Sequence, residues 1–169
     1  MGRVVNNRWR YNAVSITPYN PIYRDEKGVY LNDEIFRACK VGKSMELDDY
    51  LVLENACIES VKIIMSLTKC SSLSIRYLEK HSEPLCFFEE EKRILNDTYF
   101  SLADKQFVNN VNLEIVMKLI LRESVWCQLV NLSKRLYVRF GYDYYMYFNT
   151  RLKMEKYKNH IEKNGLFVW

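Results

Sequence analysis

At 169 residues, 49% of them apolar and 27% charged, the chain has the length and make-up of one globular domain with its own core, and no Gly, Pro or Ser-rich stretch divides it. Five cysteines, Cys39, Cys57, Cys70, Cys86 and Cys127, with no Cys-x-x-Cys among them, argue against a disulfide framework and for free thiols in a reducing, cytoplasmic compartment. The net charge of +4 gathers at the two ends, in Arg3, Arg8 and Arg10 and in Arg151, Lys153, Lys156, Lys158 and Lys163, so the body is mildly acidic and the distribution disfavours nucleic acid as a partner.

No apolar run reaches the length of a membrane span, and the first residues lack the apolar core of a secretion signal. Residues 1–44 alternate aromatics with turn formers and read as a segment wrapping over the rest. Within it, Trp9 to Thr17 reads as a short strand ended by Pro18, Asp25 to Gly28 as a turn, and Gly42 to Ser44 as a loop. A helix follows from Met45 to Thr68, capped by Ser44, with Leu47, Leu51, Ile58, Val61 and Met65 on one stripe. Glu54 falls inside that stripe. A carboxylate among apolar neighbours needs a partner, so Glu54 is either half of a structural ion pair or an acid at a functional cleft.

Ser72 to Leu78 alternates as a half-buried strand, and a helix is expected within 86–103, with Glu89, Glu90 and Glu91 on a solvated face. Asn112 is placed as the cap of a second long helix, Leu113 to Val130, apolar nearly all round except for Glu114, Lys118 and Arg122. Arg122 is the candidate partner of Glu54. Leu136 to Asn149 is the densest strand-forming stretch. It reads as a β-hairpin with a two-residue type II′ turn at Gly141-Tyr142, which pairs Phe140 with Asp143 and Val138 with Tyr145 and leaves neither face polar. Thr150 caps a basic helix, Arg151 to Asn164, ended by Gly165, and residues 166–169 form a strand docked at the sheet edge or the end of a truncated chain. The expected architecture is α+β: a single domain with a mostly antiparallel sheet, containing the Tyr-rich hairpin, packed on two long apolar helices.

Signals for catalysis are sparse. His81 and His160 stand at no metal-ligand spacing, the five glycines are too scattered to cradle a phosphate, and no nucleophile-elbow motif occurs. The cysteines read as small apolar fillers. No enzyme activity, cofactor or metal is therefore expected. The thirteen tyrosines suit half-buried sheets and binding surfaces, and stacking of single-stranded bases on the aromatic sheet is the alternative function.

Five stretches carry a resemblance: Tyr-Asn-Pro-x-Tyr-Arg-Asp-Glu-x-Gly at 19–28, Asp-Tyr-Leu-x-x-Glu at 49–54, Leu-Arg-Glu-x-x-Trp-Cys-x-Leu at 121–129, Tyr-Val-Arg-Phe-Gly-Tyr-Asp-Tyr-Tyr-Met-Tyr at 137–147 and Gly-Leu-Phe-Val at 165–168. Together they resemble the immunity proteins of bacterial contact-dependent growth inhibition and related polymorphic-toxin systems. The resemblance implies a non-catalytic protein that binds the C-terminal toxin domain of a large exported effector, often a nuclease, and blocks it. The stretch 35–42 departs from the family's Trp-Thr-Ser-like run. The basic net charge favours local docking by an acidic patch, or occlusion from an exosite, over mimicry of nucleic acid by the whole surface. On this reading Glu89, Glu90, Glu91 and the hairpin tip Tyr142 and Asp143 face the toxin, while most hairpin aromatics are core.

Overall fold

The computed structural model describes residues 13–31, 36–141 and 143–169, and the fold is α+β in one domain. Seven strands, β1 (Val14–Thr17), β2 (Ser72–Lys80), β3 (Phe107–Asn109), β4 (Val125–Asn131), β5 (Leu136–Phe140), β6 (Met146–Asn149) and β7 (Phe167–Val168), form one sheet. Their order is β3-β2-β4-β5-β6-β1-β7 and every pairing is antiparallel. The helices are α1 (Leu47–Leu67), α2 (Glu89–Ser101), α3 (Asn110–Leu121) and the short α4 (Lys158–Glu162). Among the described residues no helix is long and apolar enough to cross a membrane.

Alternate strand positions define the core. Leu73, Ile75, Cys127, Leu129, Leu136, Val138, Phe140, Met146, Phe148, Ile16 and Val168 are buried and share one cluster with Ile58, Val61 and Met65 of α1, Leu113 and Met117 of α3 and Ile161 of α4. Burying a side chain of this size contributes about 1.5–3 kcal/mol each, which holds the helical layer against the sheet.

Two expectations are corrected here. The apolar run 113–130 is not one helix. α3 ends at Leu121, Glu123 takes a left-handed φ of 61°, and the chain re-enters the sheet as β4 between β2 and β5. An apolar run has no visible period, and Val125, Trp126 and Cys127 fit an internal strand as well as a buried helix. The cap is Asn109, whose side chain accepts from the N–H groups of Val111 and Asn112. α1, for its part, begins after Glu46 rather than Ser44.

The second correction is register. β5 and β6 pair Phe140 with Met146 and Val138 with Phe148, three residues from the expected alignment, so the loop spans 141–145. An odd shift turns β6 over: Met146 and Phe148 face the core and Tyr145 and Tyr147 the other side. Gly141 is not among the glycines with positive φ. A β-carbon at position 141 would lie 2.9 Å from Cε2 of Tyr147 and 3.3 Å from Cβ of Tyr145. Glycine is needed there for the approach of a ring, not for a type II′ turn.

The ends differ too. Val14–Thr17 is an interior strand between β6 and β7 rather than only part of a wrapping segment, while residues 9–12 lie outside the described residues. The basic stretch after Thr150 breaks into a turn of 3-10 helix, Met154–Lys156, and the five-residue α4, with Gly165 following at φ 86°. The closing strand pairs with β1 at the sheet edge, Thr17 opposite Phe167.

Candidate binding site at the β5–β6 loop

The five-residue loop leaves Asp143 and Tyr144 in the left-handed region, at φ 54° and 62°. Aspartate tolerates that region, whereas a tyrosine there is costly and is held only where its surroundings fix it. Both residues are anchored by their side chains. The Asp143 carboxylate accepts from Nε and Nη2 of Arg37 at 2.9 and 2.7 Å, and the charge and hydrogen bond of Asp143 hold the guanidinium above its ordinary pKa. Tyr144 is buried, and its hydroxyl sits 2.5 Å from the Tyr50 oxygen and 2.8 Å from the Leu121 carbonyl.

From Tyr144 a chain of polar groups runs into the core. The Tyr50 hydroxyl donates to Oε1 of Glu54 at 3.0 Å. Glu54 takes Arg122 in a two-pronged pair, Nε to Oε1 at 2.7 Å and Nη2 to Oε2 at 2.9 Å, with the two side chains 2% and 1% exposed. Nη1 of Arg122 donates to the Leu85 carbonyl at 2.9 Å and to Oε1 of Glu91, while Nη2 also reaches Oε2 of Glu91 at 3.3 Å. All five guanidinium donors are thus used. The Phe87 ring covers the guanidinium, 4.6 Å from centroid to Cζ, and Lys118 stands 3.8 Å from Glu91.

Arg122 between Glu54 and Glu91, and Lys118 between Glu91 and Glu114 at 3.2 Å, offset one another's charge, which is the condition for burying Glu54 and Arg122. Burial works against the charged Arg122, but the hydrogen bonds of Glu54 and Glu91 outweigh it and raise its pKa. Burial likewise opposes the ionised Glu91, yet Arg122, the Phe87 N–H and Lys118 prevail and hold its carboxyl below the usual range. Burial pushes the Tyr50 and Tyr144 hydroxyls strongly upward, so both stay protonated and donate.

On the opposite side of β6, Tyr145 stacks on Tyr19 at 5.5 Å and on Tyr147 at 6.3 Å. Arg24 hydrogen-bonds the Tyr145 hydroxyl and the Gly28 carbonyl and lies 4.7 Å over the Trp169 ring. It ties the 20–31 loop to the end of the hairpin. That loop is stiff: Asn20 caps its short 3-10 turn, Asp25 accepts from the N–H groups of Lys27 and Val29, and Arg24 and Tyr30 bridge. It nevertheless exposes Ile22, Val29 and Leu31 by 74%, 56% and 65%.

Glu54 and Arg122 therefore meet in the core, from α1 and the end of α3. Glu91 is not part of an exposed acidic patch with Glu89 and Glu90: its side chain is 10% exposed against 85% for Glu89, because Arg122 draws it inward. Glu90 is exposed, Asp143 is half-buried against Arg37, and Tyr142 lies outside the described residues. Sequence reasoning missed Tyr50, Tyr144, Arg37 and Arg24. Only Tyr50 left a local trace, standing four residues before Glu54 on the same helix face.

The cavity beside the loop, lined by Leu121, Glu123, Gly141, Asp143 and Tyr145 among others, holds about 40 Å³, room for a water or two rather than a substrate. Among the described residues no three metal-binding side chains gather. What the arrangement does is mechanical and electrostatic: Arg37 holds Asp143, Tyr50 and the Leu121 carbonyl hold Tyr144, and Arg24 ties the 20–31 loop to Tyr145. No family model, curated protein or solved structure matches the chain.

Proposed function

We propose that the chain is a cytoplasmic immunity protein that binds a cognate toxin domain, a nuclease by preference, and neutralises it by steric occlusion without catalysis. One observation carries the reading: three of the five stretches behind the family resemblance, far apart in sequence, meet in one buried chain, and a fourth closes on the same hairpin from the other side of the sheet. Tyr50 and Glu54 from 49–54, Arg122 from 121–129 and Tyr144 from 137–147 share one buried hydrogen-bonded chain. Arg24 from 19–28 closes on Tyr145 of the same hairpin.

Such a network suits a binding surface because it prepays order. Asp143 and Tyr144, with their left-handed backbone angles, and the 20–31 loop are held before any partner arrives, so association loses less conformational freedom. The exposed Ile22, Val29 and Leu31 are the apolar anchors of that surface and Glu26 belongs to its polar rim. Glu89 and Glu90, at the start of α2, form the acidic contact suited to a basic nuclease face. Asp143 acts by holding the loop through Arg37 rather than as a free charge.

The reading is tested by co-expressing the chain with the toxin domain encoded beside it. Growth is rescued and the two co-purify if it is right; no rescue and no complex reject it. Replacing Ile22 and Leu31 together by Ser is expected to abolish rescue while leaving the melting temperature within about 2 °C, since exposed substitutions have small effects on stability.

A further inference from the structure

The face of the sheet turned away from the helical core has its own pattern. Cα pairing runs Arg76 to Gln128, Gln128 to Arg139 and Arg139 to Tyr147, a single row across β2, β4, β5 and β6. Directly paired residues project to the same face, so the four side chains stand in line. Arg139 is exposed and Arg76 and Gln128 are half-buried. Tyr137 stands in the neighbouring row, opposite Val130 and Asn149, and Trp126, two residues along β4, lies on the same face.

Two arginines share this row. Like those of Arg93, Arg135 and Arg151, and unlike those of Arg24, Arg37 and Arg122, the guanidiniums of Arg76 and Arg139 take part in no ion pair or hydrogen bond among the described residues. With strands about 4.8 Å apart, two strand spacings separate them by roughly 10 Å, with an amide between. No carboxylate stands in the row itself; Glu79, paired with Trp126, lies on the same face. Guanidiniums bind phosphate in fork geometry, glutamine reads donors and acceptors on base edges, and aromatic side chains on a sheet offer stacking surfaces. The sequence disfavours a nucleic-acid partner because its positive charge gathers at the two ends, which leaves Arg139 without a basic surround in its own stretch. β2 supplies part of that surround from 63 positions before Arg139, a pairing only the fold reveals.

We propose that this face, centred on Arg76, Gln128 and Arg139, is a binding site for single-stranded nucleic acid, with the two guanidiniums on successive phosphates and Gln128 between them. The row ends at Tyr147, which stacks on the Tyr145 ring that Arg24 of the 20–31 loop holds, so the two surfaces adjoin at β6; the site is centred on β2, β4 and β5 and is tested by residues outside that loop.

The test uses the full chain and a fluorescein-labelled twelve-nucleotide oligouridine, with anisotropy read from about 50 to 200 mM salt. Arg76→Gln/Arg139→Gln is expected to weaken binding at least about tenfold and to flatten the log–log salt slope by about 1.4, two phosphates at about 0.7 each for a single strand. Lys43→Gln/Arg93→Gln, which removes two exposed charges outside the sheet, is expected to change affinity less than twofold. Unchanged circular dichroism of each variant establishes that the sheet is intact, and Gln128→Ala gives a milder second reading of the same row, a loss of a fewfold. Absence of binding by the native chain overturns the proposal. So does an equal loss in both double variants, which would mean diffuse attraction, or displacement of the oligonucleotide by an Asp/Glu peptide at equal concentration, which would mean an acidic protein site.

Discussion

Arg122→Met removes the positive centre of the buried network while keeping a long side chain under the Phe87 ring. Glu54, 2% exposed, keeps only the Tyr50 hydroxyl, and Glu91 keeps Lys118 at 3.8 Å and the Phe87 N–H. Stranding one member of a buried pair costs about 3–5 kcal/mol, a large share of the roughly 5–15 kcal/mol that holds a domain folded. For a chain of this length that corresponds to a fall in melting temperature of about 6–20 °C. Charge, not packing, causes most of the loss, so Glu54→Met added to Arg122→Met is expected to recover more than half of it. The pH dependence separates the two origins. In the native chain the Glu91 carboxyl is held below its usual value, so its contribution is present above its unfolded pKa and is lost as pH falls through the folded one. The single variant has already lost the Arg122 hydrogen bonds that supply most of this contribution, so in acid the native chain loses more stability than the variant does. The stability gap measured by urea unfolding must therefore narrow from pH 7 to pH 4. A cost below about 1 kcal/mol at pH 7, or a gap that widens in acid, refutes the description of this network as a buried, mutually neutralised cluster.

Tyr144→Phe deletes a hydroxyl that serves both Tyr50 and the Leu121 carbonyl, and is expected to cost about 1–3 kcal/mol in urea unfolding. Tyr77→Phe, at an exposed tyrosine of β2, serves as the comparison. Gly141→Ala sets a β-carbon against the Tyr147 ring at 2.9 Å and is expected to cost about 1–3 kcal/mol and to alter the near-ultraviolet dichroism of the tyrosines. A two-residue turn with a left-handed glycine would leave the ring undisturbed and the spectrum unchanged. Of the five thiols only Cys39 is exposed; burial pushes Cys57 upward and Cys127 up to about 12, so an aromatic disulfide reagent at pH 8 is expected to label Cys39 within minutes and those two only on unfolding.

Where the apolar pattern had a period, the sequence was a good guide. α1 and β2 came from spacing alone, and the turn at Asp25–Gly28 from residue chemistry. Two pieces of information were missing elsewhere. The run 113–130 has no period to distinguish helix from strand, so its last part reads as helix where the structure has the strand between β2 and β5. The hairpin register depended on one glycine whose role is to make space for Tyr147, which no local rule foretells. That error turned β6 over and hid Tyr144, whose place at the head of the buried chain depends on the loop being five residues long. The acidic triplet shows a further limit: Glu89, Glu90 and Glu91 are alike in sequence, and only the position of Arg122 decides that one of them is turned inward.

Seating of a toxin domain on the surface of the 20–31 loop and the neighbouring hairpin end is the proposed function. Its most direct measurement is size-exclusion chromatography of the purified chain mixed with the toxin domain encoded beside it, alongside a growth assay of the two co-expressed. The account predicts a single 1:1 peak, rescue of growth, and loss of both on replacing Ile22 and Leu31 by Ser in a chain that melts normally. Separate elution with no rescue by the native chain contradicts it.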